Sequence, residues 1–189
     1  EIFNNKKSKY KSVSYAFSHI DKVWRVDYLY KFLFHSNNQG LSIKQKWDLI
    51  EDVWSFIEFP YKEEQDRELW NEIFYNINRP MCIVNEFPVD KEYIVYRGGH
   101  PEGISWTTSK EVATWFYQRW NSHKKNPNYK LSKKTVKGKD VLFSSNERGE
   151  YELVLHPRTL EMEYTEVEPS SPELVEKWRE GRNVLNAIF

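Results

Sequence analysis

The sequence predicts an α+β protein, with a helical lobe over residues 1–80 and a strand-rich lobe over residues 81–189. Two patterns predict it. Before Pro80, apolar residues recur at steps of three and four, the period of an amphipathic helix. After Pro80, short β-branched and aromatic runs alternate with turn residues, and one helical stretch interrupts them. With 39% hydrophobic and 30% charged residues, the chain falls among globular rather than disordered sequences.

The first expected helix covers residues 14–34, is apolar on more than one side, and stops at the turn signal Asn37-Asn38-Gln39-Gly40. The clearest helix runs from Ser42 to Pro60. Ile43, Trp47, Ile50, Trp54 and Ile57 fall on one face, Ser42 and Gln45 have capping-box spacing, and Pro60 marks the stop. A third helix, over 63–77, aligns Leu69, Trp70, Ile73, Phe74 and Ile77. Cys82 is the single cysteine, so no disulfide framework or multi-cysteine metal site can form within the chain. Its place in Met81-Cys82-Ile83-Val84 reads as that of a buried small hydrophobe.

In the second lobe, Tyr93 to Arg97 reads as a strand ending in Gly98-Gly99, and Ile104 to Thr107 as a second. Thr108-Ser109-Lys110-Glu111 has capping-box spacing and opens a helix to about Trp120, with Val112, Trp115, Phe116 and Trp120 as candidates for its buried side. Further strands are expected at 129–136, 140–143, 150–155 and 160–167. Ser170-Ser171-Pro172-Glu173 opens the last helix, with Pro172 suited to its first turn.

Lys+Arg and Asp+Glu both number 28, so the chain has no overall field with which to hold a polyanion. Lys124-Lys125 and the stretch from Lys130 to Lys139 read as a solvated lysine-rich hairpin or a local basic patch. No apolar stretch approaches the length of a membrane span, and the polar segment from Glu1 to Lys11 lacks a signal-peptide core, so a cytoplasmic setting without a membrane partner is expected. Neither a tight His/Cys cluster nor a phosphate loop of the GxxxxGK[ST] type is present, and no metal is expected.

Three segments carry the chemistry, and each is weak alone. In Tyr96-Arg97-Gly98-Gly99, an arginine at a strand end can present a rigid cationic fork to a phosphate or carboxylate, or it can be an ordinary surface residue before a turn. The following glycines allow close backbone approach. In Gly103-Ile104-Ser105-Trp106-Thr107, strand alternation puts Ser105 and Thr107 on one face and turns Trp106 toward packing. In Glu147-Arg148-Gly149-Glu150-Tyr151-Glu152, Glu150 and Glu152 are expected on one face of a strand, where two carboxylates repel each other. A solvent-facing acidic strand is the plainer reading. His100 and His156 read as loop histidines.

Taken in order, Arg97, then Ser105-Trp106-Thr107, then Glu150-Tyr151-Glu152 resembles the Arg-Ser-Glu class of ADP-ribosyltransferases. That class includes arginine-modifying enzymes, bacterial toxins and phage enzymes. The likeness spans about residues 93 to 157 and, with Ala113-Thr114-Trp115-Phe116 and Arg119, is nearest to a bacterial and phage branch. Ser-Trp-Thr stands here where better-known members have Ser-Thr-Ser. The other main class carries a His-Tyr-Glu set, and Arg97 in first position argues against it.

The resemblance implies a split antiparallel sheet holding NAD in a cleft, with NAD as co-substrate. It implies that Arg97 contacts NAD and braces the site, and that Gly98 backbone groups hold the nicotinamide carboxamide. Ser105 would orient Glu152, Thr107 would support the same strand, and Trp106 and Phe116 would line the NAD site, Phe116 as a stacking ring. Glu152 would hold the nicotinamide ribose and stabilise the oxocarbenium-like charge that forms as nicotinamide departs. Glu150 would activate the acceptor. The implied function is transfer of ADP-ribose to a macromolecule, protein or nucleic acid, in a toxin- or phage-like role. Its alternatives are a NAD glycohydrolase and a non-enzymatic binding module. The helical lobe can cap the cleft, recruit substrate, or dock an inhibitor or antitoxin protein.

Overall fold

A computed structural model describes residues 13–35, 40–57, 64–124, 129–146 and 149–188, with backbone alone at 123–124 and 182–188. The chain forms two compact units that divide between Cys82 and Ile83.

In the first unit, the helix expected over 14–34 is broken. Residues 13–18 form α1, Lys22–Trp24 form a 3-10 turn, and Arg25–Phe34 form α2. Asp21 causes the break by capping the 3-10 turn, its carboxylate accepting from the Val23 amide. Arg25 holds the bend, donating to the carbonyls of Ile20 and Ser18. Helix α3 spans Ile43–Ser55 and has the expected capping box: Ser42 Oγ accepts from the Gln45 amide, and the Gln45 side chain accepts from the Ser42 amide. The helix already ends at Ser55; Pro60 and Asn37-Asn38-Gln39, the expected stops, lie outside the described residues.

Helix α4 spans Glu64–Asn76. Trp47, Trp54, Trp70 and Phe74 form the aromatic core of this unit, with Trp54 and Trp70 edge to face at 5.0 Å and Trp70 stacked on Phe74 at 5.3 Å. Ile43 is exposed, and Leu69 and Ile77 are half-buried, so each apolar stripe is narrower than its periodicity suggests. Helix α5, Met81–Glu86, contains the division between units. Its buried residue is Ile83, and Cys82 is exposed, contrary to expectation. The apolar run coils into a helix there, so neighbouring side chains fan out instead of sharing the core.

The second unit contains a six-stranded antiparallel sheet. Its strands are β1 (Glu92–Gly99), β2 (Ser105–Thr107), β3 (Lys130–Lys137), β4 (Val141–Ser145), β5 (Glu152–Leu155) and β6 (Thr165–Glu166), in the order β4-β5-β2-β1-β3-β6. Pairing of β1 with β3 runs from Glu92↔Lys137 to Gly99↔Lys130, whereas β1 meets β2 at the single register pair Tyr96↔Thr107. The sheet is thus narrowest between its two central strands.

Helix α6, Lys110–Lys124, packs on β1. A side chain at Gly98 would put Cβ 1.9 Å from the Ala113 carbonyl oxygen, so glycine is what lets α6 come this close. The cap of α6 is Ser109 rather than Thr108, with Ser109 Oγ accepting from the Val112 amide. Val112, Ala113 and Thr114 are its buried residues, while Trp115, Phe116 and Trp120 are half-buried. The strand expected over 160–167 shrinks to β6, because Pro157–Glu161 turns as a 3-10 helix with His156 as its cap. Helix α7, Pro172–Ile188, begins at Pro172 as expected. Among the described residues, no helix is long and apolar enough to cross a membrane.

Candidate active site

Strand β2 is the axis of the site, because opposite faces of it carry different chemistry. Its register with β5 pairs Ser105 with Val154 and Thr107 with Glu152, so Ser105, Thr107 and Glu152 leave the sheet on one face. Ser105 Oγ donates to Glu152 Oε1 across the diagonal, at 2.5 Å. The expected contact between hydroxyl and carboxylate is therefore present, and both residues are half-buried.

Arg97 reaches the same strand from the other side. It follows Tyr96, the partner of Thr107, so its side chain leaves β1 on the face opposite Ser105 and Glu152. Its Nε donates to the His100 carbonyl at 2.7 Å, and its Nη1 donates to the Ser105 carbonyl. The fork thus braces the loop between β1 and β2, where a fork presented to a ligand was expected. Burial pushes the guanidinium down to about 10, and the Glu152 carboxylate acts in the opposite sense, so Arg97 stays cationic at neutral pH.

Gly103 makes this arrangement possible, and the sequence reading missed it. A Cβ there would lie 2.1 Å from Arg97 Nη2 and 2.2 Å from Cζ. The guanidinium lies where any other residue would place its side chain.

Trp106 is 2% exposed and belongs to the core beneath β2, which corrects its expected place in the NAD site. Its indole Nε1 donates to the Gly103 carbonyl at 2.7 Å. The Lys134 ammonium lies 4.2 Å from its ring centroid. Lys134 therefore does not belong to a solvated basic hairpin, and Lys130, of the same strand, is paired with Glu166. Lys125 lies outside the described residues.

The acidic segment differs from expectation in one respect. Tyr151 has φ of 48°, a left-handed conformation uncommon for a bulky residue. This twist ends the strand alternation before Glu152, so Glu150 is not placed beside Glu152 by a shared strand face. The turn is anchored from several elements. Thr107 Oγ1 donates to the Glu150 carbonyl at 2.7 Å, and the Thr108 amide donates to the Tyr151 carbonyl. The Tyr151 amide donates to Asn146 Oδ1, and Trp178 of α7 donates to the Gly149 carbonyl. Thr107 also accepts from the Ser109 amide, so one hydroxyl couples the α6 cap to the backbone of Glu150. Glu147 and Arg148 lie outside the described residues.

Phe116 meets Trp115 edge to face at 4.9 Å, and Trp115 in turn contacts Trp178 at 5.7 Å. Phe116 is thus tied to an aromatic cluster joining α6 and α7. Gly98 has a packing role against α6, which accounts for the residue without a ligand. Of the histidines, His100 supplies a carbonyl to Arg97, and His156 caps the 3-10 helix. A cavity of about 420 Å³ lies elsewhere in this unit, at the β3–β6 edge, with Tyr117, Tyr129, Lys130 and Glu166 among its walls. Among the described residues, no group of three or more His, Cys, Asp or Glu is placed to hold a metal ion.

The arrangement can hold a carboxylate in a fixed orientation, with a cation in electrostatic contact through the strand. That suits stabilisation of a transient positive charge on a bound substrate. No family model, no curated protein and no solved structure matches the chain.

Proposed function

We propose that the chain is a NAD-dependent mono-ADP-ribosyltransferase of the Arg-Ser-Glu type, acting on a macromolecular acceptor. The observation that carries the reading is the hydrogen bond from Ser105 Oγ to Glu152 Oε1, on a strand whose backbone is gripped by Arg97. Glu152, 47 residues on from Ser105, is joined to it across the β2–β5 pairing, the contact that the resemblance implies, and Arg97 is joined to Ser105 through the backbone carbonyl. In the reaction, the bond between the ribose C1′ and the nicotinamide nitrogen breaks, and its electron pair leaves with nicotinamide. The positive charge left on the sugar falls to Glu152, which Ser105 holds in orientation. An acceptor oxygen or nitrogen supplies the pair for the new bond and loses its proton, and Glu150 is assigned to that side. Arg97 is assigned to bracing β2 and to balancing the Glu152 charge.

The test is incubation of the purified chain with NAD labelled in its adenylate part and a cell lysate, followed by separate nuclease and protease digestion. Label in macromolecules supports transfer, and the digestion that releases it gives the acceptor class. Free ADP-ribose without labelled macromolecule points to water as acceptor, and unconsumed NAD overturns the reading.

A further inference from the structure

Lys134 is 5% exposed, yet it carries an ionisable amine into the interior of the second unit. It pairs in register with Val95, on the sheet face that also carries Arg97 and Trp106. Its Nζ donates to the Thr159 carbonyl at 3.0 Å and lies 4.2 Å from the Trp106 ring centroid. The contacts then run in series. The Trp106 indole donates to the Gly103 carbonyl, Gly103 lies against the Arg97 guanidinium, and Arg97 donates to the Ser105 carbonyl. Ser105 holds Glu152. Arg97, Ser105 and Glu152 are thus connected, through Gly103 and Trp106, to one buried ammonium.

We propose that Lys134 is a positioning residue for the reaction, its ammonium fixing the Trp106 indole and with it the Gly103–Arg97–Ser105 bracing beneath Glu152. This inference rests on the ADP-ribosyltransferase reading. The charge is what distinguishes the role from packing. A neutral amine keeps the volume of lysine and one hydrogen bond but loses the attraction to the indole face. A site needing only volume is better filled by methionine, because an interior cation loses its hydration.

The groups facing Lys134 make its charge state adjustable near neutral pH. Burial acts first and pushes it down, the Arg97 guanidinium on β1 adds to that, and Asp140 from the 3-10 turn before β4 opposes them, leaving the amine at about 8. Asp140 is itself shared with Arg158, at 2.9 Å, and accepts from the Lys137 amide. Tyr93 leaves β1 on the same face.

The experiment measures nicotinamide release from NAD by the full chain between pH 6.5 and 9.5, for wild type, Lys134→Met, Lys134→Arg and Glu152→Gln. In wild type, kcat is expected to fall as pH rises through about 8, where the ammonium is lost. Lys134→Met is expected to lower kcat about tenfold at pH 7, with KM for NAD little changed, and to abolish the alkaline fall. Lys134→Arg, which keeps its charge, is expected to retain more activity than Lys134→Met and to move the fall to higher pH. Lys134→Met with wild-type kcat, or with the same alkaline fall, overturns the inference alone. If wild type and Glu152→Gln are equally inactive, the underlying reading fails and the inference falls with it.

Discussion

Glu152 accepts a hydrogen bond from Ser105 at 2.5 Å across the diagonal of the β2–β5 pairing, although its direct partner is Thr107. Thr107 spends its own hydroxyl on the Glu150 carbonyl. Two hydroxyls on one strand face therefore do separate work, one orienting the carboxylate and the other fixing the turn before it. Ser105→Ala should lower the rate of nicotinamide release about tenfold while leaving NAD affinity near that of wild type. Initial rates against NAD concentration check this. A large rise in KM with kcat unchanged would place Ser105 in ground-state binding instead.

Two glycines should respond differently to one added methyl group. Gly98→Ala places Cβ against the α6 backbone, which cannot yield, and the second unit is expected to lose much of its cooperative unfolding. Gly103→Ala meets a side chain, Arg97, which can move away. Its expected cost is about 1–3 kcal/mol of stability, with a disproportionate loss of activity because the guanidinium leaves Ser105. Urea unfolding followed by circular dichroism, alongside the rate assay, separates the two. Equal effects of both substitutions on stability and rate would contradict the assigned roles.

Tyr151 holds a backbone conformation that glycine adopts without steric penalty. Tyr151→Gly is expected to relieve about 1 kcal/mol of strain, offset in part by the greater freedom of glycine in the unfolded chain. Tyr151→Val should be destabilising, since a β-branched residue tolerates positive φ poorly. Comparing the urea midpoints of the two variants tests the conformation directly. A valine variant as stable as the glycine variant would be inconsistent with a left-handed residue at this position.

Lys134 also makes a pH prediction for stability. Its ordinary value is 10.5 and its folded value about 8, so between these the unfolded chain binds more protons than the folded one. Stability should therefore rise with pH across that window, and the full penalty should be present below about 8. Lys134→Met removes the penalty and is expected to stabilise the unit at pH 7 by at most about 3 kcal/mol, less at pH 9.5. The same substitution is expected to lower activity. Opposite signs on stability and rate are the mark of a charge kept for function. A methionine variant less stable at pH 7 would show that the ammonium is a net structural contributor.

Much of this architecture was legible in local patterns. The Ser42–Gln45 box and the Trp47–Ile50–Trp54 stripe specify α3, because capping and periodicity act over a few residues. The β-branched and aromatic run from Tyr93 to Arg97, closed by Gly98-Gly99, and the turn-bounded Ser105-Trp106-Thr107 located β1 and β2. What failed depended on one dihedral angle or on distant neighbours. Glu150 and Glu152 read as sharing a strand face, and the φ of Tyr151 undid that. Cys82 was misplaced because burial is decided by what packs on an element, not by its composition, whereas strand alternation turned Trp106 toward packing and only the resemblance placed it in the NAD site. Gly103 carried no signal, since its partner is the end of an arginine side chain on another strand. Lys134 carried none either: its face of β3 also holds Lys130, Ser132 and Val136, and Leu131 on the opposite face is buried as well, so period two alone did not point the lysine inward.

The most direct test compares wild type with Glu152→Gln, measuring NAD binding by calorimetry and nicotinamide release in the same preparations. Binding of NAD by both proteins, with release in the variant reduced about a hundredfold or more, is the predicted result. Absence of NAD binding to the wild-type chain, or release unchanged by the substitution, would contradict it.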